Sequence, residues 1–379
     1  MKYIDTPESL APARRALEAC PWAAVDTEAD SLHHYKEKLC LVQISVPDED
    51  FVIDPLAGLE LGFLGEILSR KPLIMHGADF DVRMLSRACG VLPAEVFDTV
   101  IAAQLLGYEK QGLADLVLKH CGVSLSKSSQ TADWSMRPLK PEMLEYAVKD
   151  THYLYTIKSI LEEELKTLGR LSWHEQFCGR VVKHAVAAKE GRVEEEERWR
   201  IKGSRDLNPR QQTILKFLWQ WRESEAERRD RPSFKIINSE TLVDIARWIF
   251  QNQGKDIGAW PEAPRNVKGE YRAVLNRMIE EAFRLPEVKP FVHKRDSKPR
   301  KRMRPDSKEK LGHLKVDREK LAKELKINPS LIVSNAVLEE ILLEDPKTSE
   351  ALENLGVLLP WQFELCAEGI LKALETASK

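Results

Sequence analysis

No apolar run in this 379-residue chain approaches the roughly 18 residues that would span a bilayer, so no membrane partner is expected. The opening "MKYIDTPESL" lacks the apolar segment of a secretory signal. Six cysteines (Cys20, Cys40, Cys89, Cys121, Cys178 and Cys366) are scattered without a C-x-x-C pair. That scatter excludes a zinc ribbon and speaks against a disulfide framework, so reduced thiols and a cytoplasmic location are expected. With 43 % hydrophobic and 31 % charged residues the chain is globular in composition. Single cores seldom grow beyond about 250–300 residues, which suggests two or three domains.

The net charge of −2 is unevenly spread. Residues 1–150 carry 15 Lys/Arg against 23 Asp/Glu, and the remaining 229 carry 43 against 37. An acidic front half on a basic back half fits chemistry in one place and the holding of a polyanion in another.

From Trp22 to Ile53, "WAAVDTE", "KLCLVQISV" and "DFVIDP" read as a three-stranded meander. A helix over Leu61–Ser69, a strand "PLIMHG", a helix over Asp79–Cys89 and a strand "EVFDT" follow, an alternation that indicates an α/β domain with a mixed sheet. "GLADLVLKHCG" is an amphipathic helix stopped by Gly122, and "KSSQTADWSMRPLK" is a polar loop. Pro141 then opens a long helix running to "KTLG", with further helix to about Lys189 and a linker ending near Gly203. Short amphipathic helices fill Asn208–Leu285. Eight Lys/Arg among the sixteen residues Lys289–Arg304 form a basic linker, suited either to phosphate contact or to simple solvation. A second small helical unit occupies about Val316–Ala377. In the first unit, Trp219 and Trp221 sit at helical spacing among Leu215, Phe217 and Leu218, a pattern of core rather than of base stacking.

Three acidic groups stand out. Asp26 and Glu28, two apart on a strand, point to one face, where burial is unfavourable unless a cation or hydrogen-bond network compensates; a strand end in solvent is the alternative. In "MHGADFDVRML", Asp81 sits just inside a helix and, taken alone, reads as a cap rather than a ligand, with Asp79 the preferred non-catalytic acid and His76 an ordinary histidine if taken alone. In "EYAVKD", Tyr146 and Asp150 share a helix face one turn apart, an arrangement common on helix surfaces.

Taken in order, D-x-E on a first strand, His76 with an Asp five residues on, and Y-x-x-x-D on a later helix are the signature of the DEDDy 3′–5′ exonucleases. The stretch "GLADLVLKHCGVSLSKSSQTADWSMRPLKPEMLEYAVKDTHYL" resembles the ribonuclease D branch. "WRESEAERRDRPSF" leading into "TLVDIARW" is similar to an HRDC domain, and "KLAKELKINPSLIVSNAVLEEI" to the second, divergent HRDC domain of that family. The resemblance implies an α/β ribonuclease H-like exonuclease domain, with a mixed central sheet flanked by helices, followed by two small all-α HRDC-type domains. The expected boundaries are 1–200 for the nuclease, 204–286 for the first HRDC domain, 287–309 for the basic linker and 310–379 for the second.

The implied activity is metal-dependent 3′–5′ hydrolysis of RNA ends to nucleoside 5′-monophosphates, in tRNA and stable RNA 3′ maturation. Single-stranded 3′ ends and tRNA precursors are the implied partners, with no protein partner. Two divalent ions, Mg²⁺ or Mn²⁺, are the implied cofactors, since hard cations prefer carboxylate oxygens. By resemblance Asp26, Glu28 and Asp150 hold the ion carrying the attacking water, Asp26 and Asp81 hold the second near the leaving 3′ oxygen, and Tyr146 orients the water. His76, Lys127, Gln130, Trp134 and Arg137 are expected at the substrate, Trp134 equally as a packing residue. At Ala29 the pattern breaks: an aromatic wedge is common there in the family, and His33, His34 or Tyr35 could replace it or simply form a polar turn. A DNA exonuclease of proofreading type is the alternative enzyme, because the metal chemistry is the same. A catalytically silent RNA-binding module is the other alternative, against which all four acids and Tyr146 are present.

Overall fold

A computed structural model describes residues 1–126, 128–190, 197–288 and 306–375. Lys127 and the Lys289–Arg304 run lie outside the described residues. The chain forms two compact units, one from Met1–Glu28, Leu39–Glu190 and Pro299–Lys379, the other from Ala29–Lys38 and Gly191–Lys298.

The first unit is built on six strands, β1 (Lys2–Ile4), β2 (Ala23–Ala29), β3 (Leu39–Val46), β4 (Glu49–Ile53), β5 (Pro72–Met75) and β6 (Glu95–Asp98), in the order β1-β4-β3-β2-β5-β6. β3 and β4 are antiparallel, whereas β1–β4, β2–β5 and β5–β6 are parallel. The sheet is therefore mixed, and the expected meander occupies its middle. β3, "LCLVQISV", is buried along its entire length, as a strand covered on both faces must be.

Helices α1 (Pro7–Ala19), α2 (Gly62–Leu68), α3 (Asp79–Cys89), α4 (Thr99–Leu105), α5 (Leu113–Cys121), α6 (Pro141–His152), α7 (Leu154–Thr167) and α8 (Leu171–Glu190) accompany it. β1 and α1 are additions to the elements expected from the sequence. β1 is too short to show alternation, and α1 is a polar helix held by a Thr6–Ser9 capping box. The single helix expected from Pro141 to the Gly169 region is two, α6 and α7, parted at Tyr153. No Pro or Gly marks the break. The end of α6 is instead tied to the sheet, Thr151 Oγ1 to Ser45 Oγ at 2.7 Å and His152 Nδ1 to Asp50 Oδ2 at 2.8 Å.

The second unit contains α9 (Pro209–Arg229), α10 (Ser233–Ile236), α11 (Ser239–Gln251), α12 (Arg265–Lys268) and α13 (Arg272–Arg284) around a core that includes Leu215, Leu218, Ile245 and Leu275. Trp219 and Trp221 are partly buried against this core, in keeping with their spacing. The loop 29–38 belongs to this unit. Tyr35 packs on the same core, its hydroxyl lies 3.3 Å from Glu223, and His34 Nδ1 lies 2.7 Å from Asp230 Oδ2.

The C-terminal helices α14 (Ser307–Leu325), α15 (Pro329–Ile332), α16 (Asn335–Glu344), α17 (Ser349–Glu353) and α18 (Pro360–Glu375) have their own core and cluster with the sheet unit. Trp361 stacks on Trp173 of α8 with ring centres 4.2 Å apart, and Arg170 donates to Leu105 O and Leu325 O at 2.6 and 2.8 Å. Gly107 is required here, since a Cβ at that position would meet the Lys326 carbonyl.

Candidate active site

The acidic residues gather at the carboxyl ends of parallel strands, where open α/β sheets place their ligands. Asp26 and Glu28 lie in the last turn of the pleat of β2, and β5 beside it runs into the turn that starts α3. That turn needs a left-handed residue, supplied by Gly77 at φ +83°. It is clamped by Asp98 at the end of β6. This carboxylate, 3 % exposed, accepts from Gly77 N at 3.0 Å and Ala78 N at 2.8 Å while capping α4 through Val100 N at 2.8 Å. One buried anion thus fixes both turns. Asp79, by contrast, is exposed and pairs with Arg83 at 2.7 Å.

Oxygen atoms of Asp26, Glu28 and Asp150 lie within 4.8 Å of one another, a grouping able to hold a metal ion. Asp81 stands beside these three. It is 5 % exposed in the first turn of α3, and Thr27 Oγ1 donates to its Oδ1 at 2.5 Å. Thr27 is the central residue of D-x-E, and nothing in its own character marked it. Its partner Asp81 lies 54 residues on, beyond the reach of any local period.

The electrostatics are those of crowded anions. Burial first, then the charges of Asp81, Asp150 and Glu28, push Asp26 well above the carboxylate range. Burial followed by Asp150 and Asp81 pushes Glu28 up to about 9. Asp81 and Asp150 rise to about 7, mainly through burial, although Thr27 and Tyr146 respectively pull them down by hydrogen bonding. Tyr146 donates its hydroxyl to Asp150, and burial with the neighbouring carboxylates raises its pKa, so it remains a neutral phenol. Oxygen-only donors, repelling one another and partly dehydrated, are what a hard divalent cation relieves. The residues fit such ions.

The remaining expected residues divide. His76 stays near the turn: Thr99 Oγ1 donates to Met75 O at 3.1 Å and so takes the Nδ1 proton of His76 at 2.8 Å, leaving Nε2 as the other ring nitrogen. Burial lowers the His76 pKa, favouring the neutral ring. Gln130 is exposed, and Lys127 is outside the described residues. Trp134 and Arg137, both expected at the substrate, differ: Trp134 is turned inward, whereas Arg137 is exposed at the surface, its side chain 27 % accessible. Trp134 is 1 % exposed, packs with Met143 and Ala147, and lies with its ring centre 6.0 Å from that of Tyr146. Arg137 grips Asp54 through Nε and Nη2 at 2.6 and 2.7 Å and donates further to the carbonyls of Trp134 and Cys40. These bonds give Asp54, 3 % exposed, the counter-charge it needs. His34 and Tyr35, offered as wedges for Ala29, are held by Asp230 and Glu223 instead. Asp30, just beyond β2, is fully buried and accepts from Lys38 N at 2.7 Å.

Residues 1–166 match the family described as 3′–5′ exonuclease, and residues 211–252 and 307–374 match the HRDC domain. Ribonuclease D of Xanthomonas oryzae pv. oryzae is 32 % identical over 275 residues, covering 69 % of this chain and 73 % of that protein. The chain belongs to the ribonuclease D family. The crystal structure of Escherichia coli RNase D, described as an exoribonuclease involved in structured RNA processing, superposes with a TM-score of 0.73 at 25 % identity, covering 100 % of this chain and 99 % of that one. An exosome complex component 10 homolog of Caenorhabditis elegans is 33 % identical over 289 residues, 74 % of this chain but 32 % of that longer protein. Both HRDC matches and the mixed sheet agree with the ribonuclease D architecture. No helix among the described residues is long and apolar enough to cross a membrane.

Proposed function

We propose that this chain is a metal-dependent 3′–5′ exoribonuclease that shortens single-stranded RNA 3′ ends, tRNA precursors among them, to nucleoside 5′-monophosphates. The observation that carries this reading is the convergence of Asp26, Glu28 and Asp150 within 4.8 Å. Two Mg²⁺ or Mn²⁺ ions bound there would supply charge neutralisation at the attacked phosphodiester and acidify water near neutral pH. Asp26, Glu28 and Asp150 hold one ion, and Asp26 with Asp81 the other, Thr27 fixing the Asp81 carboxylate. Tyr146 acts as a donor: hydrogen-bonded to Asp150 and kept neutral by its surroundings, it orients the nucleophile rather than deprotonating it. His76 and exposed Gln130, with Lys127, are the proposed substrate contacts. Buried Trp134 supports the Tyr146 helix, and Arg137, paired with Asp54, supports the loop before it.

The same reading assigns residues 1–200 to the nuclease, 204–286 and 310–379 to the HRDC domains and 287–309 to the basic linker. Six free cysteines agree with a cytoplasmic setting. Asp26→Asn preserves the shape of the site and removes a shared ligand, so RNA hydrolysis in Mn²⁺ should fall at least about 1,000-fold while RNA affinity in a filter assay is retained. Hydrolysis at the parental rate in that variant contradicts the proposal. Matched RNA and DNA 3′ ends, differing only in the 2′-hydroxyl, distinguish an exoribonuclease from a DNA exonuclease by their relative rates.

A further inference from the structure

Gln43 sits in the middle of β3 at 0 % exposure, and neither its Oε1 nor its Nε2 has a hydrogen-bonding partner. A carboxamide taken out of water and left unpaired is destabilising, and a hydrocarbon side chain of the same size would pack there without that penalty.

Its surroundings in the sheet are well defined. Ser45, two residues along the same strand, meets Thr151 of α6 at 2.7 Å, so Gln43 and Ser45 share the face that α6 covers. Across the ladder Gln43 is in register with Val52, which packs with Met143 and Ala147 of α6. On the other side β3 is neighboured by β2, whose Asp26 and Glu28 reach Asp150 of α6 and therefore project to this same face. The unpaired amide accordingly lies on the carboxylate-bearing face, beneath the helix that carries Tyr146 and Asp150.

We propose that Gln43 is a positioning residue for the cation site, its Nε2 donating to a carboxylate that shares its face, Asp26 or Asp150, when divalent ions are bound. A ligating carboxylate has lone pairs left over, and an outer donor that occupies one of them fixes the orientation of the other towards the ion. The inference rests on the functional reading above.

The test is Mn²⁺ titration by calorimetry of the full chain and of Gln43→Leu, with thermal melts of each in the absence of metal. Gln43→Leu is expected to melt at a higher temperature than the parent, because the unpaired amide is gone. It should also bind Mn²⁺ about 10-fold more weakly, with kcat on RNA reduced and KM unchanged. Gln43→Met, which keeps the side-chain length, gives the same result if Leu packs poorly. A parent that binds Mn²⁺ and variants that match its affinity within about two-fold would overturn the role of Gln43 alone. A parent that binds no Mn²⁺ would overturn the functional reading, and this inference with it.

Discussion

Tyr146 shows what a single side chain decides. Its hydroxyl bonds Asp150, and burial with three neighbouring acids keeps it protonated. Tyr146→Phe removes that donor while leaving the ring on Trp134, so kcat should fall about 100-fold with KM nearly unchanged and folding intact. A pH–rate profile checks the assignment: without the phenol, Asp150 holds its proton to higher pH, and the acidic limb moves upward. An unchanged profile contradicts it. At this scale the sequence disclosed the residues whose spacing repeats a backbone period. Asp26 and Glu28 share a strand face, and Tyr146 and Asp150 a helix face. It did not disclose Thr27 or Gln43, whose importance depends on elements that only the fold brings beside them. Nor did it disclose the pairing of Arg137 with Asp54, 83 residues away.

At the scale of elements, the site depends on two turns at the carboxyl ends of β5 and β6 being held together by Asp98. Replacing it with Ala leaves the Gly77, Ala78 and Val100 N–H groups without their acceptor at a site 3 % exposed. With charge-assisted bonds each worth about 1.5–3 kcal/mol, Asp98→Ala should cost at least about 3 kcal/mol of stability. Chemical denaturation measures this, and a loss within about 1 kcal/mol contradicts the clamp. Because the α3 turn carries His76 and leads to Asp81, activity should fall together with stability. β2 to β6 and α3 were legible from apolar runs and from the charged residues, Gly and Pro that bound them. The parting of α6 from α7 was not, since it arises from Thr151 and His152 being tied to Ser45 and Asp50 on distant strands.

For the whole molecule, the acidic site makes stability depend on pH in a direction opposite to that of most surface acids. Glu28 at about 9, Asp81 and Asp150 at about 7 and a strongly raised Asp26 bind protons more tightly folded than unfolded, where carboxyls titrate near ~4. Their contribution is complete below the unfolded value and is lost as pH rises through the folded values. Asp54 has the opposite sign: burial alone would raise it, but hydrogen bonds from Arg137 and Tyr3 hold it below the usual range, so its contribution is already present above ~4. The metal-free chain should therefore melt at a lower temperature at about pH 9 than at about pH 5, and saturating Mn²⁺ should flatten that slope by displacing the protons. A melting temperature that rises across this range without metal contradicts the electrostatic reading. The fold class, a mixed-sheet domain followed by helical segments, was legible from strand runs and helical periodicity. The packing of Trp361 on Trp173 was not, because no local pattern relates residues 188 positions apart. The most direct test of the central claim is product analysis of a single-stranded RNA labelled at its 3′ end, incubated with Mn²⁺ and with chelator. Labelled nucleoside 5′-monophosphate as the first product, formed only with the ion, is the predicted result; labelled oligonucleotides, or equal turnover in chelator, would contradict it.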